Sequence, residues 1–214
     1  MKKKKILVIV DMQEDFVTGV LGSPEAQAVV PRIIKKLQKN GKNYSAILLT
    51  KDAHNKNYGK TLEGKKLPVP HCIEGTDGYR VMSDIYKEVE ELRKTGVIVK
   101  NFKKHTFASD KLVEYLTAMV LVNNKNLEIE IIGVCTDICV ISNALTIRAA
   151  LPNTVISVDA KCCAGTSIKA HNAALHVMNS CQIDTGRTYG KPVDANNSSK
   201  GETEQEQFAE NQTE

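Results

Sequence analysis

The sequence predicts an α/β domain: a doubly wound, six-stranded, mostly parallel sheet with helices on both faces, a Rossmann-like three-layer arrangement. Three observations predict it. Short, solid apolar runs recur along the chain, as strands buried on both faces require. Segments of helical period separate them in regular alternation, the pattern of a parallel sheet with crossover helices. Of the 214 residues, 42% are hydrophobic and 25% charged, a balance that supports one packed core and excludes a wholly disordered chain.

The elements follow in order. Residues 6–10 are a solid apolar run and form the first buried strand. Ser23-Pro24-Glu25 starts a helix, with Ser as N-cap, Pro at the first helical position and an acid in the first turn. Val29, Ile33, Ile34 and Leu37 recur at helical spacing, and Gly41 ends the helix. Residues 46–50 are the second strand. A helix over 83–95 stops at Gly96, and 97–100 is the third strand. Ser109 caps a helix to about residue 121. Residues 127–134 are the fourth strand, and Asp137 begins a helix to about residue 150. Residues 154–159 are the fifth strand, 167–180 a helix, and 182–185 a short sixth strand. Residues 51–79 break the rhythm with a long loop of Pro, Gly, His and Cys, and long loops in compact domains usually carry function.

The body, residues 1–190, is expected to be one domain. Residues 191–214 are rich in Asn, Ser, Gln and Glu, cannot bury enough apolar surface to order themselves, and are expected to form a disordered acidic tail. The formal net charge of +4 is therefore an average. The tail holds six acids and two lysines, or −4, which leaves 27 bases and 19 acids, or +8, in the body. Four of those bases form the arm Lys2 to Lys5. Such a surface could attract nucleic acid, but it equally serves solubility. The second reading is preferred, so no nucleic-acid partner is expected. No apolar run approaches the ~18 residues of a membrane span, and the run after the N-terminal lysines is too short for a secretory signal. Six cysteines, at 72, 135, 139, 162, 163 and 181, are too sparse for a disulfide framework. A cytoplasmic location is expected.

In open α/β sheets, ligands bind beyond the carboxyl ends of the strands. Asp11 follows the first strand, Asp52 and His54 the second, and Lys100, Lys103 and Lys104 the third. Gly133-Val134-Cys135-Thr136-Asp137 leads from the fourth to Cys139. Alone, a cysteine there is more often a small packing residue. With a carboxylate and a lysine at the same edge, a nucleophile is favoured: helix N–H groups lower the thiol pKa and hold an oxyanion, and the carboxylate shuttles the proton. Asp52, His54, Glu63 and His71 form a second constellation, of donors suited to Zn²⁺, Fe²⁺ or Mn²⁺; the alternative is a polar loop that contains two histidines.

These residues resemble a known family. Asp11-Met12-Gln13-Glu14-Asp15-Phe16 is similar to the D-x-Q-x-D-F opening of the isochorismatase-like cysteine hydrolases. Asp52-Ala53-His54 and Pro70-His71-Cys72 resemble the metal region of the nicotinamidase/pyrazinamidase branch, and Gly133 to Val140 resembles the family's G-x-x-T-D-x-C-V turn. The resemblance implies amide hydrolysis through a thioester, with Cys139 as nucleophile, Asp11 as base and acid, and Lys104 as third member, Lys103 being the fallback. It implies a cis peptide between Val134 and Cys135, and oxyanion donors in the N–H groups of Cys135 and Cys139. Asp52, His54 and His71 carry over as ligands of one divalent ion, zinc first, iron or manganese next. Glu63, nine residues after His54, fits the fourth place, since Lys60 stands where some members have histidine. Phe16, Phe107, Val134 and Ile138 are expected at the substrate pocket. Two departures bear on the substrate: Pro68 stands where a tryptophan often walls the ring, and Ile138 replaces a common histidine. Nicotinamide is the expected substrate, another small amide or a ureido or carbamoyl compound the alternative, and a non-catalytic binding protein the rival from another class. A homo-oligomer is expected from the resemblance.

Overall fold

The computed structural model describes residues 4–122 and 127–186. The arm before residue 4 and the tail expected over 191–214 lie outside the described residues. Five strands, β1 (Lys4–Val10), β2 (Tyr44–Asp52), β3 (Ile98–Lys104), β4 (Leu127–Val134) and β5 (Val155–Ala164), form one parallel sheet in the order β3-β2-β1-β4-β5. The chain builds outward from β1 to β3, then returns to the other side of β1 for β4 and β5. The point where the order reverses lies between β1 and β4, which is where such sheets open a binding crevice. The residues that follow these two strands are Asp11 and the segment leading to Cys139.

The helices are α1 (Glu14–Val17), α2 (Pro24–Asn40), α3 (Leu62–Lys66), α4 (Ser83–Lys94), α5 (Asp110–Val122), α6 (Ile141–Ala150) and α7 (Ile168–Ser180). Right-handed crossovers put α2 and α4 on one face and α5, α6 and α7 on the other. In keeping with this, α2 packs on α4, and α6 packs on both α5 and α7. The caps expected at Ser23 and Ser109 are formed, and Ser167 caps α7 in the same way: each hydroxyl accepts a backbone N–H, from Ala26, Leu112 and Ala170. The apolar run of β1 is fully buried between the two helical layers. Among the described residues, no helix is long and apolar enough to cross a membrane.

Three expectations are corrected. The sixth strand is reduced to a single bridge between Ser157 and Asp184, so the sheet has five strands among the described residues. Only Val158 N–H to the Asp184 carbonyl and Asp184 N–H to the Ile156 carbonyl are made there, too few to propagate a ladder. The third strand runs on to Lys104, so the lysines lie within it. The helix expected from Asp137 begins instead as a π-type turn over Thr136–Val140, with α6 following. Gly41 ends α2 as expected, as its C-cap, with a helical φ of −55° rather than a left-handed one. A Cβ there would sit 2.3 Å from Leu92 Cδ1, and glycine lets α2 close on α4.

Candidate active site

Asp11, Lys104 and Cys139 meet at the carboxyl edge between β1, β3 and the π-type turn. The Lys104 ammonium lies 2.7 Å from Asp11 Oδ2, 3.5 Å from Cys139 Sγ and 3.3 Å from Asp52 Oδ1. All four residues are buried. Asp11 takes a φ of +49°, uncommon for a residue with a side chain. Its N–H reaches the Thr50 Oγ1 at 3.2 Å, and the Thr50 hydroxyl donates to Asp11 Oδ1 at 2.6 Å. Asp11 Oδ2 accepts no aligned hydrogen bond, so beside its ion pair it keeps a lone pair for another proton. Lys103, the fallback lysine, points elsewhere and pairs with Glu74.

The electrostatics differ from the expectation at Cys139. Burial, and then the Asp11 carboxylate, push its thiol well above the ordinary value, while Lys104 pulls the other way. Cys139 lies within the π-type turn rather than in an α-helical first turn. The resting group is a neutral thiol. Burial also raises Asp11, against the pull of Lys104, which makes it a stronger base than an ordinary carboxylate. Burial lowers Lys104, but Asp11, Cys139 and Asp52 hold it above its usual value, so it stays charged.

Asp52, His54, Glu63 and His71 are gathered so that one donor atom from each lies within 4.8 Å of all the others. His54 Nε2 is 3.1 Å from Asp52 Oδ2 and 3.6 Å from Glu63 Oε1; His71 Nε2 is 3.4 and 3.7 Å from the same two atoms. Bonds of about 2.0–2.2 Å to zinc put tetrahedral ligands about 3.3–3.6 Å apart, so the donor set fits a divalent ion. The His71 Nδ1–H donates to the Val69 carbonyl at 2.8 Å, which leaves Nε2 as the lone-pair nitrogen facing the cluster. Burial raises the Asp52 carboxyl, but the neighbouring His54 and His71 rings and the charge of Lys104 hold it below its usual value. Asp52 thus joins the two clusters, one oxygen toward the histidines and one toward Lys104.

The opening motif supplies the frame, which reading the sequence did not reveal. The Gln13 amide donates to the Asp52 carbonyl at 2.9 Å and accepts the Asp52 N–H at 2.7 Å, extending the end of β2 with a side chain. Asp15 Oδ2 accepts the Cys72 N–H at 2.7 Å, beside His71. The Phe16 ring lies 5.3 Å from that of His71. Asp137 clamps the opposite wall by accepting the Thr166 N–H at 2.8 Å and the Thr166 hydroxyl at 2.5 Å. The opening motif marks Gln13 and Asp15 by position, while their partners Asp52 and Cys72 lie far along the chain.

A 340 Å³ cavity opens over Cys139, lined by Phe16, Leu67, His71, Phe107, Cys135 and Ile138, with Asp52 and Glu63. Leu67, one residue before the proline in the tryptophan's place, is an apolar wall that was not anticipated. Val134 does not line the cavity; it is fully buried in the core, since its side chain alternates away from the edge. The Val134–Cys135 peptide is cis.

A parallel α/β sheet with a buried Asp–Lys–Cys group beside a histidine–carboxylate cluster is the arrangement of a cysteine hydrolase. The chain belongs to the isochorismatase family, matching the Isochorismatase domain over residues 5–188. It is 27% identical to the nicotinamidase of Schizosaccharomyces pombe, over 83% of this chain and 90% of that protein. The pyrazinamidase/nicotinamidase structure from Streptococcus mutans superposes with a TM-score of 0.71 at 25% identity, covering 85% of this chain and 99% of that one. The pyrazinamidase of Pyrococcus horikoshii, solved in complex with zinc, has the same fold (TM-score 0.65, 22% identity, 85% and 98% covered). The chain falls in the nicotinamidase/pyrazinamidase branch of the family.

Proposed function

We propose that the chain hydrolyses nicotinamide to nicotinate and ammonia through a thioester on Cys139. The observation that carries this reading is the single Lys104 ammonium held against both Asp11 and Cys139 at the foot of a cavity whose other wall is the metal-type cluster. Relatives named for nicotinamidase and pyrazinamidase activity support it.

Asp11 accepts the thiol proton as Cys139 Sγ attacks the amide carbon. A raised carboxyl pKa and a raised thiol pKa suit a transfer concerted with attack, not a stored thiolate. Lys104 offsets the charge on sulfur and carboxylate. The N–H groups of Cys135 and Cys139 are the proposed oxyanion donors. Asp11 returns the proton to the leaving nitrogen, ammonia departs, and Asp11 then takes a proton from the water that cleaves the thioester and gives it to the departing Cys139 sulfur. Asp52, His54, Glu63 and His71 would hold one divalent ion, zinc first, which supplies a Lewis-acid site for the lone pair of a ring nitrogen. Phe16, Phe107, Leu67 and Ile138 grip the flat ring and exclude water. We place the enzyme in the cytoplasm, and the exposed Phe107 at the cavity mouth suits closure by a second copy.

Ammonia release from nicotinamide by the wild type and by Cys139→Ala tests the reading. Loss of turnover in the variant is expected; wild-type turnover without the thiol would refute the mechanism. A wild type that ignores nicotinamide but cleaves ureido or carbamoyl compounds would move the substrate and leave the mechanism standing.

A further inference from the structure

A second cavity of 570 Å³ lies on the other side of the β2–β3 edge. It shares no lining residue with the cavity over Cys139. Its walls carry Lys51, Arg80, Lys87 and Lys103 together with the rings of Tyr79 and Tyr86, and no acid. Strand register explains the position. Asp52 pairs with Lys104 and faces the active site; the row before it pairs Lys51 with Lys103, on the opposite side of the pleat. Two lysines are thus set side by side on neighbouring strands, where like charges repel.

Both ammoniums gather on one ring. Lys51 Nζ lies 3.6 Å above the centroid of Tyr79, and Lys103 Nζ 5.9 Å from it. Lys103 is offset by Glu74, and Arg80 by Asp77 at 3.0 Å. Lys51 and Lys87 have no carboxylate partner among the described residues. Solvated surface lysines extend away from one another; these two converge in a concavity.

We propose that this cavity binds a small phosphorylated ligand with a planar ring, of the mononucleotide class. A phosphate dianion fits between compact ammonium charges. The volume lies within the range of small-molecule sites and leaves room for an organic part, and the Tyr86 ring offers a face on which it stacks.

Isothermal titration calorimetry of the full chain at low salt tests this with AMP, adenosine and inorganic phosphate. AMP is expected to bind saturably, phosphate more weakly, and adenosine not measurably, with affinity falling as salt rises. Lys51→Met combined with Lys87→Ala is expected to weaken AMP by about tenfold or more, while Lys39→Ala, on the exposed end of α2, leaves it unchanged. Nicotinamide is expected not to displace AMP. No saturable AMP binding, unchanged binding in the double variant, or displacement by nicotinamide would each overturn the proposal. A short oligonucleotide that binds far more tightly than AMP would also overturn it, in favour of a strand-binding surface. No arm depends on amide hydrolysis, so failure here is separate from failure of the nicotinamidase reading.

Discussion

Gly133→Ala tests whether the distance between β1 and β4 sets the chemistry. Gly133 pairs with Val10, at the last rung before Asp11. Its φ is +122°, and a Cβ built on it would stand 2.1 Å from the Val10 carbonyl oxygen and 2.8 Å from the Val10 nitrogen. Ordinary contact begins at 3.4 Å, so the strands must part by about 1.3 Å or Gly133 must leave its conformation. Overpacking costs about 1–3 kcal/mol, and an unfavourable backbone conformation about 1–3 kcal/mol. Together they predict about 2–6 kcal/mol. For a folded body of this size that is a melting-point drop of roughly 5–20 °C. Parting the strands also draws Asp11 from Cys139, and a misplacement of about 1 Å can cost about 100-fold in rate. Thermal melts and steady-state ammonia release measure both. Gly59→Ala is the control: nothing lies within 4 Å of its Cβ position, and a change within about 0.5 kcal/mol is expected. A Gly133→Ala protein with wild-type melting point and kcat would refute the argument that close approach at this rung is required.

The other predictions concern charge and metal. Lys104→Met leaves Asp11 and Asp52 buried without their cation; turnover should be lost and stability should fall by about 3–5 kcal/mol, read from denaturant midpoints. His71→Ala removes one of four donors, so zinc retained after dialysis, measured by mass spectrometry, should fall, with affinity weaker by at least about tenfold. The Asp159 carboxyl is raised by burial but held below its usual value overall by Lys36, 2.9 Å away. A depressed folded-state pKa contributes stability above the unfolded value of 3.8 that is lost as pH falls through the folded value. Asp159→Asn should therefore be less stable at neutral pH and lose less stability between neutral pH and about pH 3, by urea melts.

Most of the frame was legible because caps and apolar runs are local. Ser23 and Ser109 announce helices by chemistry confined to one turn, and 6–10 announces a strand by composition. The sixth strand failed because residues 182–185 carry strand composition but make only one bridge to β5, a tertiary matter. The site residues were named from motif and position. Their electrostatics were not, since the thiol pKa depends on burial and on the distance to Asp11, and neither is written locally. Gln13 and Asp15 stand in the opening motif, but their framing roles escaped because polar residues after a strand read as turn formers, while here their partners are 39 and 57 residues away.

The choice between Lys103 and Lys104 shows where a sequence stops being decisive. The two are adjacent, of one type, and at the end of one strand. On a pleated strand, neighbours face opposite ways, so one of them must face the crevice and the other must not. Which one does depends on the register of β3 against β2, and β2 is fixed by Asp52, whose carbonyl and N–H are held by the Gln13 side chain. Because Asp52 pairs with Lys104, the carboxylate that turns toward the histidines brings Lys104 in with it. Lys51 and Lys103 are turned out together by the same register. The buried triad and the basic cavity are therefore two faces of one pairing: shifting β3 by one residue would bring Lys103 opposite Asp52 and turn Lys104 out to the other face.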